Sequence, residues 1–278
     1  MTLPMIEIAG RRTPRLGQGT WNMGERGADR EAEARALRRG LDLGLTLVDT
    51  AEMYAQGGSE EVVGAAIAGR RDEVVLVSKV LPSNASRQGT VAACERSLKR
   101  LATDHLDLYL LHWTGSHPLE ETLAGFAALQ AAGKIRHWGV SNFDADDMAE
   151  LLALEGGAAC ATNQVLYNLT RRWPEARLAP LCRRRSIPLM AYSPIEQGRM
   201  LRDAGLKKIA AGLGATVAQV ALAWLLRQPG VIPIPKAARP VHVEENRRAL
   251  ELELPDETLS ALNRLFPAPK GNPSIEML

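Results

Sequence analysis

Eight short apolar runs alternate with helical patterns along the chain, and this alternation limits the folds open to it. The runs are RLGQGTW (Arg15–Trp21), LTLVDTA (Leu45–Ala51), EVVLVSKV (Glu73–Val80) and HLDLYLLHW (His105–Trp113). They continue with IRHWGVSN (Ile135–Asn142), ACATNQVLY (Ala159–Tyr167), IPLMAYSP (Ile187–Pro194) and VIPIPKA (Val231–Ala237). Continuous rather than alternating apolarity marks strands covered on both faces. Strand–helix alternation marks parallel strands joined by helical crossovers. Eight such units close naturally as an α/β (β/α)8 TIM barrel, one domain over residues 1–278. A doubly wound open sheet is the alternative. No GxGxxG opens its first helix, and GQGTWNMG is only a weak glycine cluster.

The intervening segments carry helix signals. DREAEARALRRGLDLG has Asp29 as an N-cap and a glycine stop. PLEETLAGFAALQAAGK opens with proline and acids, and TVAQVALAWLLRQPG is capped by Thr216 and closed by Pro229-Gly230.

A net charge of +2 argues against nucleic acid or an anionic membrane as the main partner. Cys94, Cys160 and Cys182 are widely spaced and odd in number, which reads as reduced thiols with no metal site. The N-terminal residues lack the apolar run of a signal peptide, and no stretch approaches a membrane span of ~18 residues. The expectation is a cytoplasmic protein.

In a barrel of this kind the site lies at the C-terminal ends of the strands. Those ends carry Asp49, Lys79, His112, Ser141-Asn142, Gln164, Tyr192-Ser193 and Lys236, with Tyr54 in the turn after Asp49. One by one, such residues are more often caps, solvated charges or structural groups; together they converge on one rim. A carbonyl that accepts hydride needs a proton on its oxygen, and the Tyr54 phenol is a candidate donor. An ammonium at Lys79 is expected to lower the phenol's pKa, Asp49 to keep that ammonium charged and aimed, and His112 to orient the carbonyl. No GxSxG elbow suggests hydrolysis and no HExxH suggests zinc.

The motifs VDTAEMY, LVSKV, LYLLHW, WGVSNF, NQVLYN, AYSPI and IPIPKAARPVHVEEN resemble, in order and spacing, the aldo-keto reductase superfamily over about residues 4 to 268. GQGTWNMGE, DTAEMYAQGGSEEVVG and FPAPKG resemble its bacterial branch that reduces methylglyoxal and similar small aldehydes. The resemblance implies an oxidoreductase using NADPH/NADP+, with Asp49, Tyr54, Lys79 and His112 as the catalytic tetrad and Tyr54 as general acid. Ser141, Asn142 and Gln164 would hydrogen-bond the nicotinamide carboxamide, and Tyr192 would stack on its ring. Ser193 and Ile195 would lie in the pyrophosphate loop, Lys236 would meet the 2′-phosphate, and Glu245 and Asn246 would meet the adenine. Gly19, Thr20 and Trp21 would line cofactor and substrate, and MIEIAGRRTPRLG would be a hairpin plugging the barrel floor. The family leans to monomers, with a weak dimer as the alternative. The same fold also serves as a non-catalytic nicotinamide-binding regulatory subunit, which is the rival reading.

Two finer expectations follow. WTGSH (Trp113–His117) and the polar stretch after Pro267 are short. This implies an open pocket for small carbonyls, walled by Trp21, Met53, Trp113 and Tyr167, whereas Trp138 reads as core. In the resemblance, the place usually taken by an arginine on the 2′-phosphate is His242, with Arg239 nearby to compensate. The implied preference is for NADPH over NADH, strengthening below pH 7 as the imidazole protonates.

Overall fold

The computed structural model describes residues 4–278. A two-stranded antiparallel hairpin, β1 (Met5–Ile8) and β2 (Arg11–Pro14), precedes eight parallel strands. These are β3 (Gln18–Gly19), β4 (Leu47–Asp49), β5 (Val75–Val80), β6 (Leu106–Leu111), β7 (Ile135–Ser141), β8 (Asn163–Leu166), β9 (Leu189–Tyr192) and β10 (Val231–Pro233). They pair in chain order, and Gly19 bridges Lys236 in parallel, which brings the first strand against the last. Gly17 N donates to Pro233 O and Gly19 N to Pro235 O, each at 3.0 Å, so the sheet closes into a barrel. A Cβ at Gly19 would lie 2.6 Å from Ile234 O. The glycines of GQG therefore let the seam close, which no side chain would allow.

The helices are α1 (Arg30–Asp42), α2 (Gly58–Ile67), α3 (Arg87–Leu101), α4 (Leu119–Ala131) and α5 (Ala145–Ala153). The rest are α6 (Leu178–Arg184), α7 (Ala204–Gly212), α8 (Val217–Arg227), α9 (Pro240–Arg248) and α10 (Asp256–Leu265). Asp29 caps α1 through Ala32 N, and Thr216 caps α8 in a reciprocal capping box with Gln219. Among the described residues no single helix is long and apolar enough to cross a membrane.

Leu47, Val75, Val77, Leu108, Leu110, Met190 and Ile232 fill the barrel interior, and Ile8 and Ala9 of the hairpin pack against them. The hairpin thus plugs the floor. Arg11 fixes it there, donating to Val74 O at 2.8 Å and Asp72 O at 2.7 Å. The fully buried Asp107 gathers Arg11, Arg71 and Arg136 at the same end. A larger core lies between strands and helices; in it Trp138 stacks on Phe126 with centroids 5.5 Å apart, as expected of a core tryptophan. The three cysteines are buried and unpaired, and burial pushes each thiol up to about 12.

Candidate active site

The C-terminal ends of the strands open into a cavity of about 380 Å³. Lys79, next to last in β5, has no exposed side chain and spends its three donors at this end. Its Nζ donates to Asp49 Oδ2 at 2.8 Å, Thr50 O at 2.8 Å and Tyr54 OH at 3.0 Å. Gln164 at β8 donates to the other Asp49 oxygen at 2.7 Å. Asp49 is therefore held by two neighbours, and Tyr54 is tied to the same ammonium.

Tyr54 is placed by an unusual turn. Ala55 and Gln56 both adopt left-handed φ, at 50° and 55°, before Gly57 at 94°. Glu52 clamps this turn to the β5–α3 connection, accepting from Leu81 N at 2.8 Å and Asn84 Nδ2 at 3.0 Å. The Tyr54 ring meets Trp21 edge-on at 5.0 Å and His112 at 5.8 Å.

Burial is the largest influence on every ionisable group here. It pushes the Asp49 carboxyl above its ordinary value, and Lys79 and Gln164 offset this only in part. It works against the Lys79 charge, yet Asp49 and Tyr54 overcome it and hold that pKa above the ordinary value. It raises the Tyr54 phenol, which Lys79 pulls down only partly. The expected net lowering of the Tyr54 pKa is thus corrected: the ammonium acts in the expected direction, but desolvation outweighs it. Burial, helped by Lys79, drives His112 well below its ordinary value and leaves it neutral near pH 7. Its Nδ1 is buried without a hydrogen-bond partner among the described residues, which leaves Nε2 to meet a ligand.

Ser141, Asn142 and Tyr192 form one wall. Asn142 Nδ2 donates to His112 O and Ser141 Oγ, and the Tyr192 hydroxyl donates to Asn142 Oδ1 at 2.9 Å. Gln164 uses its amide nitrogen on Asp49, leaving Oε1 available. Gly19, Thr20, Met53, Trp113, Ser193, Ile195 and Lys236 also line the cavity.

Arg239, His242, Glu245 and Asn246 stand outside it, at or on α9. His242 Nδ1 lies 3.2 Å from Glu245 Oε2, so these two residues engage each other. Tyr167 is no wall of the pocket: it is 1% exposed, packs on Trp224 and donates to Glu175. Conversely, Met277 and Leu278 line the cavity, so the stretch after Pro267 is not merely a polar rim. Its apolar close, Ile-Glu-Met-Leu, was the available signal.

Residues 15–266 match the aldo/keto reductase family. The chain is 52% identical to methylglyoxal reductase YeaE of Escherichia coli over 284 aligned residues, covering both chains fully. It is 34% identical to glyoxal reductase of Bacillus subtilis, with 87% of each covered. An aldo/keto reductase from Klebsiella pneumoniae, solved in complex with NADP and acetate, superposes with a TM-score of 0.97 at 49% identity over the whole of both chains. A second structure of a Klebsiella pneumoniae aldo-keto reductase, with NADPH, gives the same values. The family match spans most of the chain and the 52% identity all of it, and the chain belongs to the aldo/keto reductase family.

Proposed function

We propose that the protein is an NADPH-dependent reductase of small aldehydes and dicarbonyls, methylglyoxal among them. The observation that carries this reading is the Lys79 ammonium, shared between Asp49 and Tyr54 at the edge of the cavity. The relatives named for methylglyoxal and glyoxal reduction, and the neighbours solved with NADP and NADPH, support it.

The donor set fits a nicotinamide cofactor. Ser141, Asn142 and Gln164 would hold the carboxamide, and Tyr192 offers a ring face beside them. Ser193 and Ile195 would border the pyrophosphate. Lys236 is an exposed cation with no carboxylate partner among the described residues, suited to the 2′-phosphate. Glu245 and Asn246 on α9 would meet the adenine. When bound, the cofactor supplies a hydride.

Tyr54 supplies the proton. Its raised pKa keeps the proton on the phenol at neutral pH, so it is a donor at rest. Lys79, 3.0 Å away, stabilises the negative charge that develops as the proton leaves. Asp49 keeps that ammonium charged and aimed in a site too dry to do so otherwise. Neutral His112 donates from Nε2 to the carbonyl oxygen and fixes its approach. Trp21, Met53 and Trp113 form the apolar wall around the carbonyl's remaining substituents.

The test is NADPH consumption by the purified protein with methylglyoxal, a nitrobenzaldehyde and a steroid ketone. The small carbonyls are expected to have the higher kcat/KM. A steroid preference of tenfold or more would overturn the small-carbonyl assignment.

A further inference from the structure

Arg171, in the connection after β8, holds two acids that come from distant parts of the chain. Its Nη2 and Nε donate to Glu196 Oε1 at 3.0 and 3.2 Å, and its Nη1 donates to Glu276. Glu196 lies in the connection after β9; Glu276 lies in the stretch after α10. Both segments line the same cavity, the first through Ser193, Ile195 and Gln197, the second through Met277 and Leu278. Neither Arg171 nor Glu276 lines it.

The first segment is not in a relaxed conformation. Ser193, Glu196 and Gln197 all adopt left-handed φ, at 47°, 51° and 53°, without being glycine. Such backbone persists only where surrounding contacts over-determine it. Glu196, 5% exposed, provides them: besides Arg171 it accepts from Asn168 Nδ2 at 2.8 Å and Arg199 Nη2 at 2.9 Å. The Arg171 side chain is 35% exposed, shielded enough for a branched guanidinium network to hold where an isolated surface pair would not.

We propose that Arg171 is a positioning residue that clasps the connection after β9 to the stretch after α10, so that grip on the cofactor and the size of carbonyl admitted are set together. The proposal rests on the reading above, in which Ser193 and Ile195 border the cofactor. It makes the two walls one mechanical unit: loosening Met277 and Leu278 widens the substrate end and also slackens the cofactor end.

Three variants test it: Glu276→Gln, which cuts only the outer arm, Arg171→Met, which cuts both, and Arg171→Lys, which keeps the charge but loses the fork. NADPH affinity is read by fluorescence quenching without substrate. Size selection is read as kcat/KM for 1-naphthaldehyde relative to methylglyoxal. For Glu276→Gln the NADPH Kd is expected to rise about threefold and the ratio to shift about threefold toward the larger aldehyde, the scale of one partly exposed ion pair. Arg171→Met is expected to move both quantities further, and Arg171→Lys to fall between it and the parent. Variants that melt earlier yet keep both quantities within about 1.5-fold would show a purely structural pair and overturn the proposal. A shifted size ratio with unchanged NADPH Kd overturns it too, because the walls are then independent. Glu276 is partly exposed, so its variant decides the matter even if Arg171→Met fails to fold. A parent protein that binds NADPH but reduces neither aldehyde refutes the proposed function, and the clasp is then judged on the Kd alone. One that does not bind NADPH refutes both.

Discussion

The Lys79 ammonium donates to the Tyr54 hydroxyl across 3.0 Å, with none of the Lys79 side chain exposed. A charge buried this fully depends on its counter-ion, so the two roles of Asp49, structural and chemical, should separate by mutation. Lys79→Met leaves the Asp49 carboxylate buried without its cation, and breaking such a pair costs about 3–5 kcal/mol. Melting curves should show a large loss of stability together with loss of turnover. The double variant Asp49→Asn/Lys79→Met should recover most of the stability and none of the activity. If the double variant melts as low as the single one, the stability effect does not arise from the unpaired carboxylate.

His112 makes a pH prediction. Its folded pKa lies well below its ordinary value of 6.5 because of burial and Lys79. A depressed folded pKa gives stability that is present above the unfolded value and lost as pH falls through the window down to the folded one. In that window the unfolded chain binds one proton that the folded chain does not. Stability should therefore drop by about 1.4 kcal/mol per pH unit from this group alone. Denaturant unfolding between pH 6.5 and 5 should show this slope, and His112→Gln should reduce it by one proton. An unchanged slope would place the His112 titration elsewhere.

Cofactor choice should rest on Lys236. It lines the cavity, whereas His242 stands outside it and engages Glu245. Lys236→Met should lower kcat/KM for NADPH by about tenfold or more, as expected for loss of a charge-assisted phosphate contact, and leave NADH nearly unaffected. His242→Asn should change the ratio by less than about twofold. A larger effect of His242→Asn, or a parent ratio that climbs steeply from pH 8 to pH 6, would instead assign the imidazole to the phosphate.

Much of this architecture is legible in the chain because a parallel barrel writes it locally. Most strands are largely apolar runs, and a polar residue where the run stops marks the rim. Asp49, Lys79, His112 and Gln164 could be found that way; Asp49, His112 and Gln164 line one cavity, and Lys79 is buried behind it, bonded to Asp49 and Tyr54. The glycine cluster GQG was harder, because its purpose, the close approach of Gly19 to Ile234, depends on a strand more than two hundred residues away. Glu52 carried a local hint, standing between Asp49 and Tyr54, but its partners Leu81 and Asn84 lie on another connection. Arg171 and Glu276 are 105 residues apart, and no periodicity links them. Tyr167 misled because a tyrosine near a strand end suits a core with one polar partner as well as a pocket wall. The Tyr54 pKa depended on a balance of burial against one ammonium, which spacing alone does not weigh.

The most direct test of the account is Tyr54→Phe. The change removes the hydroxyl that Lys79 holds and keeps the ring that packs on Trp21 and His112. Loss of a general acid lowers rate by about 10²–10⁴-fold. With saturating NADPH and methylglyoxal, kcat of the variant should fall by that order, while NADPH binding, read by fluorescence quenching, stays within about twofold of the parent, since the hydroxyl makes no assigned cofactor contact. A variant that binds NADPH normally and keeps most of the parent kcat would contradict the account, because the proton would then come from a group other than Tyr54.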